Sequence, residues 1–164
     1  MFYGGRLFSH LTALDKDELN ERIDDFISVR NLNRNTVIVF DSDKERSRAR
    51  INSTKQRLKQ EFDSGSGFAW ITKGREIENY LEHDKLKESI FSVHPSASKL
   101  IETGDWGNLL KYRNRNGSDK KIANKVKVAK HYVSHHPANL GILDLGEKIT
   151  MLNNFIELSN ENKI

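Results

Sequence analysis

The sequence predicts an α/β domain built on a small parallel sheet with flanking helices, and two apolar runs are the main reason. Val-Ile-Val-Phe at 37–40 leads directly into Asp41 and Asp43, and a strand is expected over 37–42. Phe-Ala-Trp-Ile-Thr at 68–72 is a second run of the same character. Short β-branched and aromatic runs that alternate with helical patterns favour parallel pairing, so both runs are expected in one sheet.

The residues before the first run are predicted to add one strand and one helix. Residues 1–5 end in two glycines and resemble the end of a strand, which gives an expected sheet of about 1–5, 37–42 and 68–72. Asp15 and Glu18 have the spacing of a capping box, and apolar residues at helical spacing follow, so a helix is expected over 16–30. Because the chain begins inside a strand-like segment, we expect the domain to be N-terminally truncated.

The chain around the second run is predicted to be mainly helical. A basic helix is expected over 44–62, and the Gly- and Ser-rich stretch at 63–67 ends it. A short helical segment at 76–81 and a helix at 84–93 are expected next. The apolar stripe of the basic helix is expected to consist of Ile51, Leu58 and Phe62.

The C-terminal part is predicted to contain an insertion and two helices. Residues 94–118, rich in Gly, Asn and Arg, are expected to be irregular. A basic helix over 119–134 is expected to turn inwards the residues Ile122, Val126, Ala129 and Val133. A last helix from Asp144 is expected to bury Leu145, Ile149, Leu152 and Ile156. One domain of three regions follows: a partial core at 1–93, the insertion at 94–118 and a helical C-terminal extension at 119–164.

Composition and charge indicate a polyanionic partner. A chain of 164 residues suits one domain, and 30% charged against 36% hydrophobic residues leaves enough apolar surface for a core. The absence of cysteine excludes thiolate metal sites and disulfides, and no apolar run reaches membrane-spanning length, so a cytoplasmic protein without membrane contact is expected. The net charge is +4 and is unevenly distributed. The candidate DNA-binding residues are Lys44, Arg46, Arg48, Arg50, Lys55 and Arg57.

Two carboxylates at the end of a predicted strand are the strongest candidate for a functional site. Asp41 and Asp43 follow the first run, and ligands collect at the carboxyl edge of open α/β sheets. Carboxylates without nearby cysteine suit Mg²⁺ or Mn²⁺. Haloacid-dehalogenase phosphatases, glycosyltransferases and Toprim nucleases all use this spacing. The Lys44-Glu45 that follows argues against the first class, and the short chain argues against the second.

A longer motif favours the third class. Residues 68–81, Phe-Ala-Trp-Ile-Thr-Lys-Gly-Arg-Glu-Ile-Glu-Asn-Tyr-Leu, resemble a strand and following block in the Toprim domain of the OLD family (overcoming lysogenization defect) of ATP-dependent endonucleases. Tyr3-Gly-Gly and the segment 124–129 also resemble that family. The resemblance extends over nearly the whole chain and is weak at 94–118.

The resemblance implies a Toprim-like fold and a DNA endonuclease that uses Mg²⁺ or Mn²⁺, with two ions expected. It implies that Asp41 and Asp43 bind metal, that Glu76 and Glu78 hold the second ion or its waters during catalysis, and that Lys125 neutralises charge on the transition state. It also implies an ATPase domain or subunit as partner, since this chain has no Gly-rich phosphate loop and hence no ATP site, and a role in phage defence. A homo-oligomer is possible. From the residues alone, Glu76 and Glu78 equally suit a helix N-terminus, and Lys125 a solvated helix face.

Two departures from the family pattern leave alternatives open. The strand and glutamate that open Toprim domains do not precede Met1, and Asn124 stands where the family usually has Asp. The chain could therefore be a catalytically incomplete DNA-binding fragment or remnant. A small-molecule phosphatase is a further alternative.

Overall fold

The computed structural model describes residues 35–117 and 120–161. The strand expected at 1–5 and the helix expected at 16–30 lie outside the described residues. Within them the chain is mixed α/β, with four α-helices, a two-stranded parallel sheet and a three-stranded antiparallel sheet. The described residues form two compact units, one of 35–40, 51–71 and 151–161 and one of 41–50, 72–117 and 120–150. No helix in the part of the chain that the structure describes combines the length and apolarity needed to cross a bilayer.

The first unit contains the predicted parallel strands. Strand β1 (Val37–Phe40) pairs in parallel with β2 (Phe68–Ile71), and helix α1 (Ser53–Asp63) lies between them in the chain. This confirms that the two apolar runs pair in parallel. The buried core of the unit consists of Phe40, Leu58, Phe62 and Ala69.

A close backbone approach fixes the start of this strand pair. A Cβ on Gly67, just before β2, would overlap the backbone oxygen of Thr36, just before β1, at this close separation of the two backbones. No side chain fits at that separation. Glycine is therefore required here by space and not by backbone conformation.

Helix α1 is shorter than the sequence indicates. It begins at Ser53, because the Asn52 side chain accepts a hydrogen bond from the backbone N–H of Lys55 at 2.8 Å and caps the helix. Residues 44–52 are not helical, so the prediction of a continuous helix over 44–62 is wrong in its first half. Leu58 and Phe62 are buried as expected.

The second unit holds the larger core. It contains a 3-10 turn (Ile77–Tyr80), helix α2 (His83–Val93), and strands β3 (Ala97–Leu100), β4 (Lys111–Asn114) and β5 (Lys120–Ile122) in antiparallel order. Helix α3 (Lys125–His135) and the first residues of helix α4 (Leu145–Glu161) complete it. The prediction that 94–118 is irregular is wrong, since β3 and β4 lie there. The fully buried side chains of this core include Leu86, Ile90, Leu109 and Val128.

Helix α3 differs from its prediction in start and in buried face. It starts at Lys125 because the Asn124 side chain accepts from the backbone N–H of Lys127 at 3.0 Å, while residues 120–122 form β5. Val128 and Tyr132 face the core. All four residues expected to face inwards are exposed: Ile122, Val126, Ala129 and Val133.

Helix α4 is found where the sequence predicts it, but its side chains are less buried than expected. None of its residues is fully buried. Ile156 is 47% exposed. The other three expected core residues are half-buried: Leu145, Ile149 and Leu152.

Candidate functional site

Two chain segments that follow β1 and β2 are joined by backbone and hydroxyl hydrogen bonds. The N–H of Ser42 donates to the Thr72 hydroxyl at 2.8 Å, and the Ser42 hydroxyl donates to the Gly74 carbonyl at 2.6 Å. The N–H of Asp43 donates to the Arg75 carbonyl at 2.9 Å. Ser42 and Thr72 are buried, so water does not compete for these bonds. In the chain, Asp41 and Asp43 flank Ser42, and Glu76 follows Arg75, so these candidate carboxylates are adjacent to the residues that join the two segments.

The backbone of both segments is constrained. A Cβ on Gly74 would lie 2.6 Å from the Cβ of Asn79 and 2.9 Å from the Asp105 carbonyl oxygen, so the close approach requires glycine. Asp43 has a φ of 55°, in the left-handed region that aspartate tolerates better than most residues. Its side chain is exposed.

Asp41 connects the first segment to the 3-10 turn. Its Oδ1 accepts a hydrogen bond from the backbone N–H of Ile77 at 2.8 Å. Burial raises the pKa of Asp41 above its usual value, and the charges of Glu78 and Asp43 add to that effect. The Ile77 hydrogen bond and the positive charge of Lys125 oppose the rise in pKa only in part. Ionised Asp41 is thus held at an electrostatic cost.

Glu76 is positioned by two asparagines. Its N–H donates to the Asn79 side chain at 2.7 Å, and its Oε1 accepts from the Asn108 amide at 3.2 Å. Burial raises the pKa of Glu76, followed by repulsion from Glu78 and Asp41. Since Glu78 raises the pKa of both Asp41 and Glu76, and Asp41 raises the pKa of Glu76, the three carboxylates form one electrostatic cluster.

Glu78 is the most buried of the four carboxylates and pairs with Lys125. Its Oε1 lies 2.6 Å from the Lys125 ammonium, and the two side chains are 7% and 56% exposed. Burial lowers the pKa of Lys125, but the hydrogen bond to Glu78 and attraction to Glu78, Asp41 and Glu76 outweigh it, so the pKa is raised. Among the described residues, the buried Oε2 of Glu78 has no hydrogen-bond partner. Lys125 compensates only part of the clustered negative charge.

The cluster fits a hard divalent cation in the kind of donor it offers. Asp41, Glu76 and Glu78 supply carboxylate oxygens, and the unsatisfied Oε2 of Glu78 is a buried acceptor suited to a cation. Within 35–117 and 120–161, no three His, Cys, Asp or Glu side chains are grouped closely enough to hold one ion together. The fit is therefore one of chemistry and charge.

The predicted DNA-binding residues fall into two groups. Arg46, Arg48 and Arg50 are exposed in the non-helical stretch that follows Asp43. The Lys44 ammonium lies 5.8 Å from the centre of the Trp106 ring. On α1, Arg57 is exposed, whereas Lys55 is only 2% exposed and does not present its charge at the surface.

The structure brings together Asp41, Glu76, Glu78 and Lys125, which come from three separate stretches of the sequence. Sequence reasoning missed Asn108, which positions Glu76, and the buried hydroxyls of Ser42 and Thr72, which join the two segments. Their one signal in the sequence was that Ser42 and Thr72 follow the two apolar runs within two residues. Comparisons of the chain with protein-family models, with curated proteins and with solved structures gave no match, so the grouping of these side chains is what identifies the site.

Proposed function

We propose that this chain is the nuclease part of a metal-dependent DNA endonuclease with a Toprim-like fold, similar to the OLD family. One observation carries the proposal: Asp41, Glu78 and Lys125, which the resemblance implies as site residues, lie in one electrostatic cluster. A lysine that only faced solvent on a basic helix would not pair with a buried carboxylate, whereas Lys125 pairs with Glu78, whose side chain is 7% exposed.

Each side chain of the cluster then has a role in phosphodiester hydrolysis. Asp41, Glu76 and Glu78, with Asp43, would hold Mg²⁺ or Mn²⁺, and two such ions supply an activated water and stabilise the leaving 3′-oxygen. Asn108 and Asn79 orient Glu76. Lys125 remains protonated at neutral pH, because its pKa is raised, and it can offset negative charge on the phosphate.

Delivery of DNA to this site uses the exposed arginines of the 41–50 stretch. Three arginines follow the metal-binding aspartates in the chain within a few residues: Arg46, Arg48 and Arg50. DNA phosphates bound to these arginines would therefore be close to the metal-binding aspartates. An ATPase domain or subunit, homo-oligomerisation and phage defence belong to the same proposal through the resemblance, and a cytoplasmic location belongs to it through the composition of the sequence.

A DNA-binding remnant without catalysis is the second candidate. The observation that favours it is the 2.6 Å ion pair of Glu78 with Lys125, which gives this carboxylate a structural role with no ion present. In that case the arginines still bind DNA and the cluster does not cleave it.

Nicking of supercoiled plasmid tests the proposal. The purified chain is incubated with Mg²⁺ or Mn²⁺ beside Asp41→Asn, which keeps the shape of the side chain, and beside Asp84→Asn, an exposed aspartate on α2, as the matched control. We expect nicking by the wild type and by the control, loss with Asp41→Asn, and loss with EDTA.

Three results would contradict the proposal. Equal nicking by Asp41→Asn would mean that the activity comes from elsewhere. No nicking while DNA still shifts in a gel would favour the remnant. Hydrolysis of p-nitrophenyl phosphate that depends on Asp41, without nicking, would favour a phosphatase.

A further inference from the structure

A cleft of about 440 Å³ opens beside Glu76 in the second unit. It is lined by one aromatic side chain, Trp106, by the cations Arg75 and Lys111, and by Glu45 and Glu102. Arg75 precedes Glu76 in the chain, and its Nε lies 3.5 Å from the Glu76 Oε1. Arg75 therefore connects the cleft to the carboxylate cluster.

Arg75 retains hydrogen-bonding capacity for an anion. Its Nη1 lies 3.6 Å from Glu45, and its contact with Glu76 is 3.5 Å, so both ion pairs are long. The buried Nε–H lies on the Glu76 side and donates no hydrogen bond within the described residues, so the terminal nitrogens are the donors that an anion in the cleft would meet. Guanidinium groups with free donors in a fixed plane bind phosphate well.

Glu102, one of the two acids of the cleft, is already compensated, whereas the exposed Glu45 contacts Arg75 at 3.6 Å and a bound phosphate would displace it. Glu102 accepts from the Lys111 ammonium at 2.7 Å and from the Asn108 N–H at 2.7 Å. Those bonds lower the pKa of Glu102, with the Lys111 contribution the largest. The Asn108 amide also donates to Glu76, so the same residue spans the cleft and the cluster.

Trp106 offers a stacking surface in the cleft. It is half-buried, and its polar neighbour is the Lys44 ammonium at 5.8 Å from the ring centre, near the outer limit of about 6 Å for a cation–π contact. A flat base that stacks on this ring would displace only a weak contact. Lys44 would then lie beside the bound nucleotide as a further cation.

We propose that this cleft binds an unpaired nucleotide of a DNA strand, with its base stacked on Trp106 and its phosphate on Arg75. This inference rests on the proposed nuclease function and specifies its substrate: DNA with a single-stranded segment next to the cleavage point. Bases in an intact duplex are already stacked on their neighbours and do not reach the indole. An aromatic platform beside a phosphate-binding cation is the usual arrangement for single strands.

Binding of a fluorescein-labelled oligothymidylate in EDTA tests this without requiring cleavage. We expect Trp106→Ala to weaken binding by roughly 5- to 150-fold, the range expected for loss of one stacked base. Trp106→Phe, which keeps a ring, should retain most of the affinity. An abasic strand should bind the wild type as weakly as oligothymidylate binds the Ala variant, and a duplex should bind all three proteins alike.

Tryptophan fluorescence gives an independent readout. The chain has two tryptophans, and Trp70 is 5% exposed, so quenching by oligothymidylate reports on Trp106. Quenching should be present in the wild type and absent in Trp106→Phe.

Three outcomes would overturn the inference. An abasic strand could bind as tightly as oligothymidylate, or Trp106→Ala could weaken single-strand and duplex binding equally. In the third, dTMP would displace the labelled oligothymidylate at the same concentration as the unlabelled oligonucleotide does. Plasmid nicking that succeeds alongside any of these refutes the cleft alone. Failure to cut both the plasmid and an oligonucleotide with a single-stranded segment, with base-dependent quenching intact, refutes the nuclease function and leaves the nucleotide site standing.

Discussion

Replacement of Lys125 by methionine tests whether the Glu78–Lys125 pair stabilises the second unit. The change removes the ammonium that lies 2.6 Å from a carboxylate only 7% exposed, and it keeps most of the aliphatic stem. Glu78 would then be a buried charge without its partner. The reverse change, Glu78→Gln, leaves Lys125 half in water and able to donate to an amide oxygen.

The two variants should therefore differ in the free energy of unfolding. Breaking a fully buried pair from one side costs about 3–5 kcal/mol. Because the Lys125 side chain is 56% exposed, water replaces part of the lost interaction, and we expect about 2–3 kcal/mol for Lys125→Met. Glu78→Gln should cost about 1 kcal/mol, since no buried charge remains.

Urea unfolding at pH 7, followed by circular dichroism, measures both variants and the double variant. Lys130→Met, an exposed lysine on the same helix, is the matched control and should change the free energy by less than about 0.5 kcal/mol. A Lys125→Met cost that equals the control, or that is smaller than the Glu78→Gln cost, would refute the view that Glu78 depends on Lys125.

Three further predictions concern other parts of the molecule. Asp41→Asn should increase the free energy of unfolding at pH 7. Because burial raises the pKa of Asp41, the contribution of this group to stability is fully present below its usual pKa of 3.8. That contribution is lost as the pH rises through the pKa of the folded state, and the neutral asparagine avoids the loss. Urea titrations at several pH values should show the gain disappear below 3.8. Gly67→Ala should cost about 1–3 kcal/mol in the same assay, because its Cβ would meet the Thr36 carbonyl. Arg48→Gln and Arg50→Gln should each reduce the slope of log binding constant against log salt by about 0.9 for duplex DNA.

Controls make these three results interpretable. Asp84→Asn should not show the pH-dependent gain, and a gain in both variants would point to net charge instead of burial. Gly141→Ala places its Cβ 3.2 Å from the Asn139 side-chain oxygen and near no backbone atom, so a cost as large as that of Gly67→Ala would contradict the steric explanation. Lys55→Gln should leave the salt slope unchanged, because the Lys55 ammonium is buried.

Local sequence patterns predicted the strands well and the helix starts poorly. The runs around Phe40 and Ile71 are short, apolar and bounded by polar residues, so their type and extent are readable. Lysines and arginines are compatible with helix, and nothing in 44–52 forbids one. The helix nevertheless begins only after its cap at Asn52. Before the cap, the backbone N–H groups of Ser42 and Asp43 donate to Thr72 and Arg75 and not to a helical turn.

The buried face of α3 shows what spacing leaves undecided. Val126, Ala129 and Val133 form one apolar stripe at helical spacing, and Val128 with Tyr132 forms another. The second stripe is the buried one, and the Tyr132 hydroxyl accepts a hydrogen bond from the N–H of Glu82 at 3.1 Å. Tertiary contacts decide between two stripes of similar periodicity, so the sequence alone favoured the wrong one.

The candidate site was only partly predictable. The resemblance indicated Asp41, Glu78 and Lys125, which the structure groups, but residue spacing gave no sign that the last two form an ion pair. Asn108 and Trp106 were missed because they lie between β3 and β4, in a stretch expected to be irregular. Asn124, a departure from the family pattern, caps α3 through an oxygen that aspartate would supply equally well.

The hydrogen bonds that join residues 41–43 to 72–77 have a consequence for hydrogen exchange and for ligand entry. The amide protons of Ser42, Asp43 and Ile77 all bond between the two segments, so separating the carboxylates breaks several bonds in one cooperative opening. The hydrogen bonds therefore hold the carboxylates close together in the folded chain, despite their mutual repulsion. Under the proposed metal-dependent function, a cation would meet charges that need little reorganisation, and its binding should slow the exchange of these three amides together.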